Sequence, residues 1–507
     1  MFDNEQTMFE VAHRLHGSLL EQAMTMTVRR QLRHFQKNLW LLAVAMLFIP
    51  FSASAVPSFA RQTGQNCVAC HVGGQFPELT PYGRKFKLTG YTIGEQAMPL
   101  SVMAVASINK TRNRSDPTGD AVADFPKDGV PIFSTASVFF AGKLSDKLGA
   151  FVQVTYNNYD SQSSSDSHWK GHTTSDNLDV RYADHFVYPN SDLIVGATLN
   201  NNPTVQDVWN SVPAWGYNTA PGSSGPATTP LIAGGIAQQA MGLGAYALWN
   251  DTLYGELSLY QTANGVWSIM SQGLNTDLGS QQILKGFNPY WRLALTHEWG
   301  AHNGMIGLFG MESNIYPNAT DPTGPTNKYN DVGIDGQYQY ILDPHTFTAQ
   351  TSVIHERIRW TANGLYPVAN QVGAYDSANG TALQTPTNAS DTLRIFRAKA
   401  SYTYEAMYGG SLSFFDVRGS SNSLNQTNVF DPAIGGVGGT SVGGNLSGNP
   451  GSRAWTSEVF WTPIQYMRLG LQYTDFIKFN GAANNYDGFG RNAKDNNTIF
   501  VYLWAAY

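Results

Sequence analysis

The sequence predicts an all-β fold, a sixteen-stranded antiparallel outer-membrane β-barrel, and three observations support this prediction. From residue 100 onward, apolar and polar residues alternate with a period of two. Tight turns and long loops alternate between the segments that carry this pattern. The chain begins with an export signal, and no later stretch is apolar enough for a membrane-spanning helix. Outer-membrane barrels combine these three features.

The alternating pattern is clearest over 466–475, where the odd-numbered residues from Met467 to Tyr473 are apolar. The segments that show it are 100–111, 132–144, 148–158, 177–188, 192–200, 239–249, 253–262, 288–299, 302–313, 329–342, 345–359, 391–405, 409–418, 453–463, 466–476 and 496–507. We expect a barrel over 99–507 whose two chain ends both lie on the periplasmic side, because the strand number is even. A soluble propeller or sandwich is the alternative, since alternation alone does not show which face meets lipid.

The first 55 residues are predicted to be a secretory signal peptide. A basic cluster over 29–37 precedes an apolar run over 39–49. Ala53 and Ala55 then supply small residues at the cleavage positions, so that we expect cleavage after Ala55. The apolar run is too short for a membrane span, which takes about 20 residues. We therefore expect an exported chain that lies among outer-membrane lipid.

The composition excludes some classes of protein. Only 13% of the 507 residues are charged, whereas 12% are aromatic and 50 are glycine, which is unusual for a soluble protein. The formal net charge of −6 is too small to indicate a nucleic-acid partner or a polybasic membrane anchor.

The two cysteines of the chain, Cys67 and Cys70, are followed by His71, and this C-x-x-C-H spacing is typical of c-type haem attachment. Each thiol can form a thioether with a haem vinyl group while the next imidazole binds the iron. We therefore predict one covalently bound haem c. A redox disulfide or a zinc site fits less well, because no βαβ pattern surrounds the motif and no second pair of ligands follows it.

Residues 56–98 form a very small, mostly irregular or helical segment that carries this motif and precedes the barrel. Thr80 as a cap, Pro81 at the first position and Gly90 as a stop predict one helix over 81–89. So small a segment would leave a haem exposed to water. We therefore expect it to fold into the barrel lumen as a plug.

The spacing leaves the second iron ligand open. Met98, just outside the first strand, is the preferred candidate, and Met103 lies within the strand pattern. A histidine and methionine pair raises the reduction potential of a haem, which suits a weak electron donor. The alternatives are water or a barrel residue, among them His185, His297 and His355.

Motifs that match one known family stand at 57–64, 67–71, 76–79, 82–84 and 86–91, and in the third long loop at 200–207, 209–210 and 213–216. They resemble the fused monohaem cytochrome c–porin family of the outer membranes of Fe(II)-oxidising bacteria. The resemblance implies an iron oxidase-type oxidoreductase. Such a protein takes electrons from extracellular Fe(II) and passes them through its haem to a periplasmic cytochrome or other electron carrier.

Outer-sphere electron transfer needs no acid, base or nucleophile, so we expect no catalytic residue in the usual sense. Two alternatives remain. One is a haem-plugged porin for solute passage, and the other is an electron conduit for a different donor or acceptor.

Overall fold

The computed structural model of the protein describes residues 57–74, 78–113, 128–162, 169–211, 229–271, 282–317, 319, 322–361, 375–376, 381–382, 388–421, 448–486 and 490–507. The predicted signal peptide over 1–55 and its cleavage site lie outside these residues. Within the described part of the chain, no helix is both long enough and apolar enough to span a membrane.

Sixteen strands of the described chain pair into a closed antiparallel barrel, which confirms the predicted fold class. The strands in chain order are β1 (Leu100–Thr111), β2 (Ile132–Ser145), β3 (Leu148–Gln162), β4 (Trp169–Tyr188), β5 (Ser191–Asn200), β6 (Ala240–Trp249), β7 (Leu253–Thr262), β8 (Asn288–Trp299), β9 (His302–Ile315), β10 (Asn327–Leu342), β11 (His345–Arg359), β12 (Tyr375–Asp376), β13 (Thr381–Ala382), β14 (Ser390–Tyr404), β15 (Tyr408–Gly419), β16 (Ser452–Ile464), β17 (Met467–Lys478) and β18 (Thr498–Ala506). β12 and β13 form a separate two-stranded ribbon. The barrel closes where β1 pairs with β18, from Met103 opposite Ala506 to Thr111 opposite Thr498.

Turns of two or three residues join the strands at one end of the barrel, where β1 begins and β18 ends. Asp146 and Lys147 form the turn between β2 and β3, and Gln465 and Tyr466 form the turn between β16 and β17. The long connections leave the other end. Because outer-membrane barrels keep their short turns in the periplasm, we call the first end periplasmic and the second extracellular.

The outer surface of the barrel is apolar. In β17, Leu469, Leu471 and Tyr473 are exposed, whereas Arg468 and Gln472 on the other face of the strand are buried. A soluble β-protein buries its apolar row instead, so this arrangement excludes the propeller and the sandwich. Exposed aromatic side chains line the periplasmic rim at Trp249, Trp299, Tyr404, Tyr408 and Trp461. The protein is therefore an outer-membrane β-barrel.

A small helical segment precedes β1. It contains α1 (Pro57–Thr63), α2 (Cys67–Cys70), a 3-10 turn (Val72–Gly74) and α3 (Pro81–Leu88), and we call the described residues 57–74 and 78–98 the plug segment. The helix predicted over 81–89 is confirmed by α3, which ends one residue earlier. The side chain of Thr80 caps α3, because its Oγ1 accepts a hydrogen bond from the backbone N–H of Gly83 at 3.1 Å.

The described parts of the connection between β5 and β6, residues 201–211 and 229–239, lie in the lumen, and we call them the inner loop. It contains α4 (Pro203–Gln206) and the 3-10 turn Leu231–Ala233. Trp209 is buried, with the guanidinium carbon of Arg292 on β8 at 5.0 Å from its ring centroid. Ile232 is also buried, within an apolar cluster of the lumen. Members of that cluster on the barrel wall include Phe309, Ile354, Leu393 and Ile395.

Candidate functional site

The C-x-x-C-H motif occupies a single helical turn, α2. Cys67 and Cys70 are three positions apart on this turn, so their side chains lie on one face of it. The backbone N–H of His71 donates to the carbonyl of Cys67 at 2.8 Å, and His71 itself has extended dihedral angles. The histidine thus leaves the helix directly beside the two thiols, as attachment of one haem requires.

Neighbouring backbone holds this turn in place. The N–H of Val72 donates to the carbonyl of Glu78 at 3.0 Å, and the N–H of Thr80 donates to the carbonyl of Cys70 at 2.9 Å. On the other side, α3 packs against α2 so closely that a Cβ on Gly83 would overlap the Cys70 carbonyl oxygen. Only glycine fits at position 83 without moving one of the two helices.

Burial sets the protonation of the motif. Burial lowers the pKa of His71 to about 4, so its imidazole is neutral near neutral pH, and the neutral ring is the form that binds iron. Burial, reinforced by the neighbouring Cys67, raises the pKa of Cys70 to about 11. A thiol with so high a pKa is a poor nucleophile for disulfide exchange, which argues against the redox-disulfide alternative. The residues of the motif therefore fit a covalently attached haem.

Arg84 fastens the plug segment to the barrel wall on one side. Its Nη2 donates to Asn303 Oδ1 at 2.6 Å, and its Nη1 donates to Gln337 and Gln339, both at 3.1 Å. Burial lowers the pKa of Arg84 to about 10, an effect that Glu298 partly opposes. The guanidinium therefore remains charged at neutral pH, with its charge shared among buried amide oxygens.

A second anchor joins α3 to β4 and to the inner loop. Tyr91 donates its hydroxyl to Asp179 Oδ2 at 2.6 Å, and Arg181 Nε donates to the same oxygen at 2.7 Å. Lys87 Nζ donates to the Val205 carbonyl of the inner loop and lies 4.0 Å from Asp179 Oδ2. Burial, with Arg181 nearby, lowers the pKa of Lys87 to about 8. The plug segment and the inner loop thus share one buried charged network.

The third anchor lies next to the motif. Glu78 and Lys399 of β14 form a buried ion pair. A Cβ on Gly73, whose φ is 62°, would overlap Oγ1 of Thr403, one residue from the periplasmic end of β14. With Arg84 and Lys87, these contacts place the plug segment inside the lumen, near the periplasmic end of the barrel.

The predicted iron ligands occupy different surroundings. Met98 lies outside β1 with 66% of its surface exposed, and its carbonyl accepts a hydrogen bond from Arg61 at 3.2 Å. Met103 lies in β1 and packs, partly buried, against Val105 and Trp504. Met98 stays a prediction as the second ligand, and Met103 is a methionine that the fold turns toward the lumen. The three barrel histidines named as alternatives are all exposed, at His185, His297 and His355.

A small polar cavity lies between the inner loop and the barrel wall. Its volume is about 20 Å³, which is room for about one water molecule. It is lined by Asn210, Ser211, Gln350, Thr351, Ser352, Arg397 and Lys399. Lys399, which lines this cavity, is also the ion-pair partner of Glu78 in the plug segment.

The sequence did not point to the buried charges that hold the plug segment and the inner loop. Asp179 and Arg181 on β4, and Arg292 and Asp335 on β8 and β10, are fully or almost fully buried. One signal was available, because each stands at an inward position of its strand. A charged residue at an inward position of a barrel with a small cavity requires a partner within the lumen.

No model of a protein family matches the sequence, and no curated protein matches it. Solved structures with some likeness include the outer membrane channel DcaP of Acinetobacter baumannii, at 10% identity and a TM-score of 0.37, with 80% of this chain and 96% of that chain covered. OmpF of Salmonella typhi, in complex with daunomycin, has 12% identity and a TM-score of 0.41, with coverages of 80% and 97%. A loop L8 deletion mutant of OmpT from Vibrio cholerae has 8% identity and a TM-score of 0.38, with coverages of 80% and 98%. Likeness at this level carries no argument about function, and the fold rests on the strand pairing itself.

Proposed function

We propose that the protein is an outer-membrane cytochrome that oxidises extracellular Fe(II) and passes the electron to a periplasmic carrier. The observation that carries the proposal is the C-x-x-C-H turn, held by three anchors inside a membrane barrel. Cys67 and Cys70 would hold one haem c through thioether bonds, and His71 would bind its iron. Met98 is the proposed second ligand.

The proposed reaction transfers one electron. One Fe(II) ion loses one electron and becomes Fe(III), and a periplasmic carrier gains that electron. When bound, the haem supplies the one-electron centre between donor and acceptor. The chain's own residues contribute position: the plug segment lies near the periplasmic end, which favours transfer to a carrier on that side. No proton has to move, so no catalytic acid or base is required.

The alternative is a haem-plugged porin for solute passage. A sixteen-stranded barrel is the architecture of water-filled porins, and the shared strand number favours the hypothesis of solute passage. The packing of the described lumen opposes it, because the plug segment, the inner loop and the apolar cluster around Ile232 occupy the interior. A conduit for another donor or acceptor has the same structural support as the proposal, so the donor has to be tested directly.

Stopped-flow mixing tests the proposal. Purified oxidised protein in detergent is mixed anaerobically with Fe(II), and the absorbance of the haem is followed. We expect the haem to become reduced on a physiological timescale. Two failures are distinguishable: a haem that dithionite reduces but Fe(II) does not would leave a cytochrome with another donor. A protein without covalent haem, shown by staining of the denatured chain, would overturn the cytochrome assignment itself.

A further inference from the structure

Six cationic side chains gather on the outer surface of one barrel wall, near its extracellular end. They point away from the lumen. In β11, Glu356 and Ile358 are buried on the inner face, whereas Arg357 and Arg359 are exposed on the outer face. We call this group the outer arginine patch. Its members are Lys328, Arg357, Arg359, Arg394, Arg418 and Arg453.

The patch lies at the level of the outer-leaflet headgroups. In β14, Tyr404 belongs to the periplasmic aromatic rim and Arg394 to the patch. The stretch between them, at about 3.3 Å per residue and a tilt of about 40°, rises about 25 Å, which is the height of the apolar band of an outer-membrane barrel. The outward side chains over that rise, such as Ala400 and Phe396, are apolar or aromatic.

Cations in the patch stand directly opposite one another. Lys328 pairs with Arg359 across β10 and β11, and Arg394 pairs with Arg418 across β14 and β15. Like charges in such positions destabilise a sheet unless an anion lies between them.

The protein supplies little of that negative charge. Asp416 bridges Arg418 and Arg453, at 2.6 and 3.0 Å. Among the residues that the structure describes, no carboxylate forms an ion pair with the other four members, Lys328, Arg357, Arg359 and Arg394. The patch therefore carries an excess of positive charge beside lipid.

β1 provides the contrast. Lys110 on β1 also points outward near the extracellular end, and Asp128 neutralises it at 2.8 Å. This outward cation thus has its own carboxylate, whereas Lys328, Arg357, Arg359 and Arg394 form no ion pair among the described residues.

We propose that the outer arginine patch binds the phosphate groups of a phosphorylated glycolipid of the outer leaflet. Guanidinium groups bind phosphate with two parallel hydrogen bonds, and cations at a membrane surface attract anionic headgroups. Directly below the patch, Phe396, Phe414 and Trp455 form an outward aromatic row, with ring centroids 6.1 and 4.6 Å apart. This row would contact the acyl chains of the same lipid.

The test uses the full haem-loaded protein in detergent micelles, titrated with diphosphoryl lipid A and, separately, with its dephosphorylated form. Binding is followed by the shift in thermal unfolding and by native mass spectrometry. We expect the phosphorylated lipid to bind about tenfold more tightly or better. The triple variant Arg357→Gln, Arg394→Gln, Arg418→Gln is expected to lose about tenfold or more of that affinity. Equal binding of the two lipids would overturn the proposal.

A matched control separates the patch from general charge loss. The variant Lys110→Gln removes an outward cation near the extracellular end of β1, outside the patch, and is expected to bind the lipid as the native protein does. If the control loses as much affinity as the patch variant, or if the patch variant loses none, the proposal is wrong. Heat-modifiable gel mobility reports folding. Should the glutamine variant not fold, the triple lysine variant, which keeps the charge, must retain most of the binding for the proposal to stand.

Discussion

Gly83 shows how one missing side chain shapes the candidate haem site. A Cβ at this position would overlap the Cys70 carbonyl oxygen, so Gly83→Ala has to push α3 away from the C-x-x-C-H turn. Overpacking of this kind costs about 1–3 kcal/mol of stability. We expect a lower yield of covalently attached haem, measured by haem staining of the denatured chain. Gly255→Ala on β7 is the control, because its Cβ would meet only ordinary van der Waals contact, and it should leave the haem yield unchanged.

Absorption spectra and reduction potentials of two variants test the methionines near β1. Loss of an axial methionine removes its absorption band near the red end of the spectrum and changes the reduction potential. We expect Met98→Ala to show both changes and Met103→Ala to show neither. The reverse result would transfer the role to the methionine that faces the lumen, and no change in either variant would exclude methionine as the ligand.

At the scale of elements, α3 is held by partners on distant strands. Arg84 bonds three buried amide oxygens of the barrel wall, whereas its neighbour Lys85 forms an exposed ion pair with Asp251 at 2.9 Å. Arg84→Ala leaves those oxygens buried without their donor, and each such loss costs about 1–3 kcal/mol. Lys85→Ala removes a surface pair worth about 0–1 kcal/mol.

We therefore expect the two variants to differ in how often α3 opens locally. Hydrogen exchange of the amides of α3 is the measurement. We expect much faster exchange in Arg84→Ala than in the native protein, with little change in Lys85→Ala. Equal protection in both variants would mean that other contacts, such as the Tyr91 and Asp179 pair, hold the plug segment without help.

The whole molecule is a barrel with two segments of its own chain in the lumen. The plug segment lies near the periplasmic end and is joined to the inner loop through Lys87 and Val205. An open sixteen-stranded barrel is an aqueous channel, so filling its lumen should close it.

Planar bilayer recordings test this closure. We expect the native protein to conduct far less than an open porin of the same strand number, and a variant that lacks 57–95 to conduct more. The comparison with the shortened variant controls for insertion into the bilayer. Porin-like conductance of the native protein would instead favour solute passage as its function.

Most of the fold could be predicted from local sequence patterns. Strand alternation depends on neighbouring residues only, which is why the prediction placed β7, β8 and β11 with the bounds that the structure has. The cap at Thr80 and the C-x-x-C-H spacing are local as well. The prediction for β4 began at 177, eight residues late, because 170–176 are polar or glycine and lack the alternation.

The barrel, its orientation and the haem-attachment motif follow from the sequence, since each depends on spacing along the chain. The position of that motif and the contacts that hold it depend on the folded barrel. Arg84 and Asn303 are 219 positions apart, and no period links them. Their contact arises because the barrel closes and turns both inward, where a buried charge must find a partner or destabilise the fold.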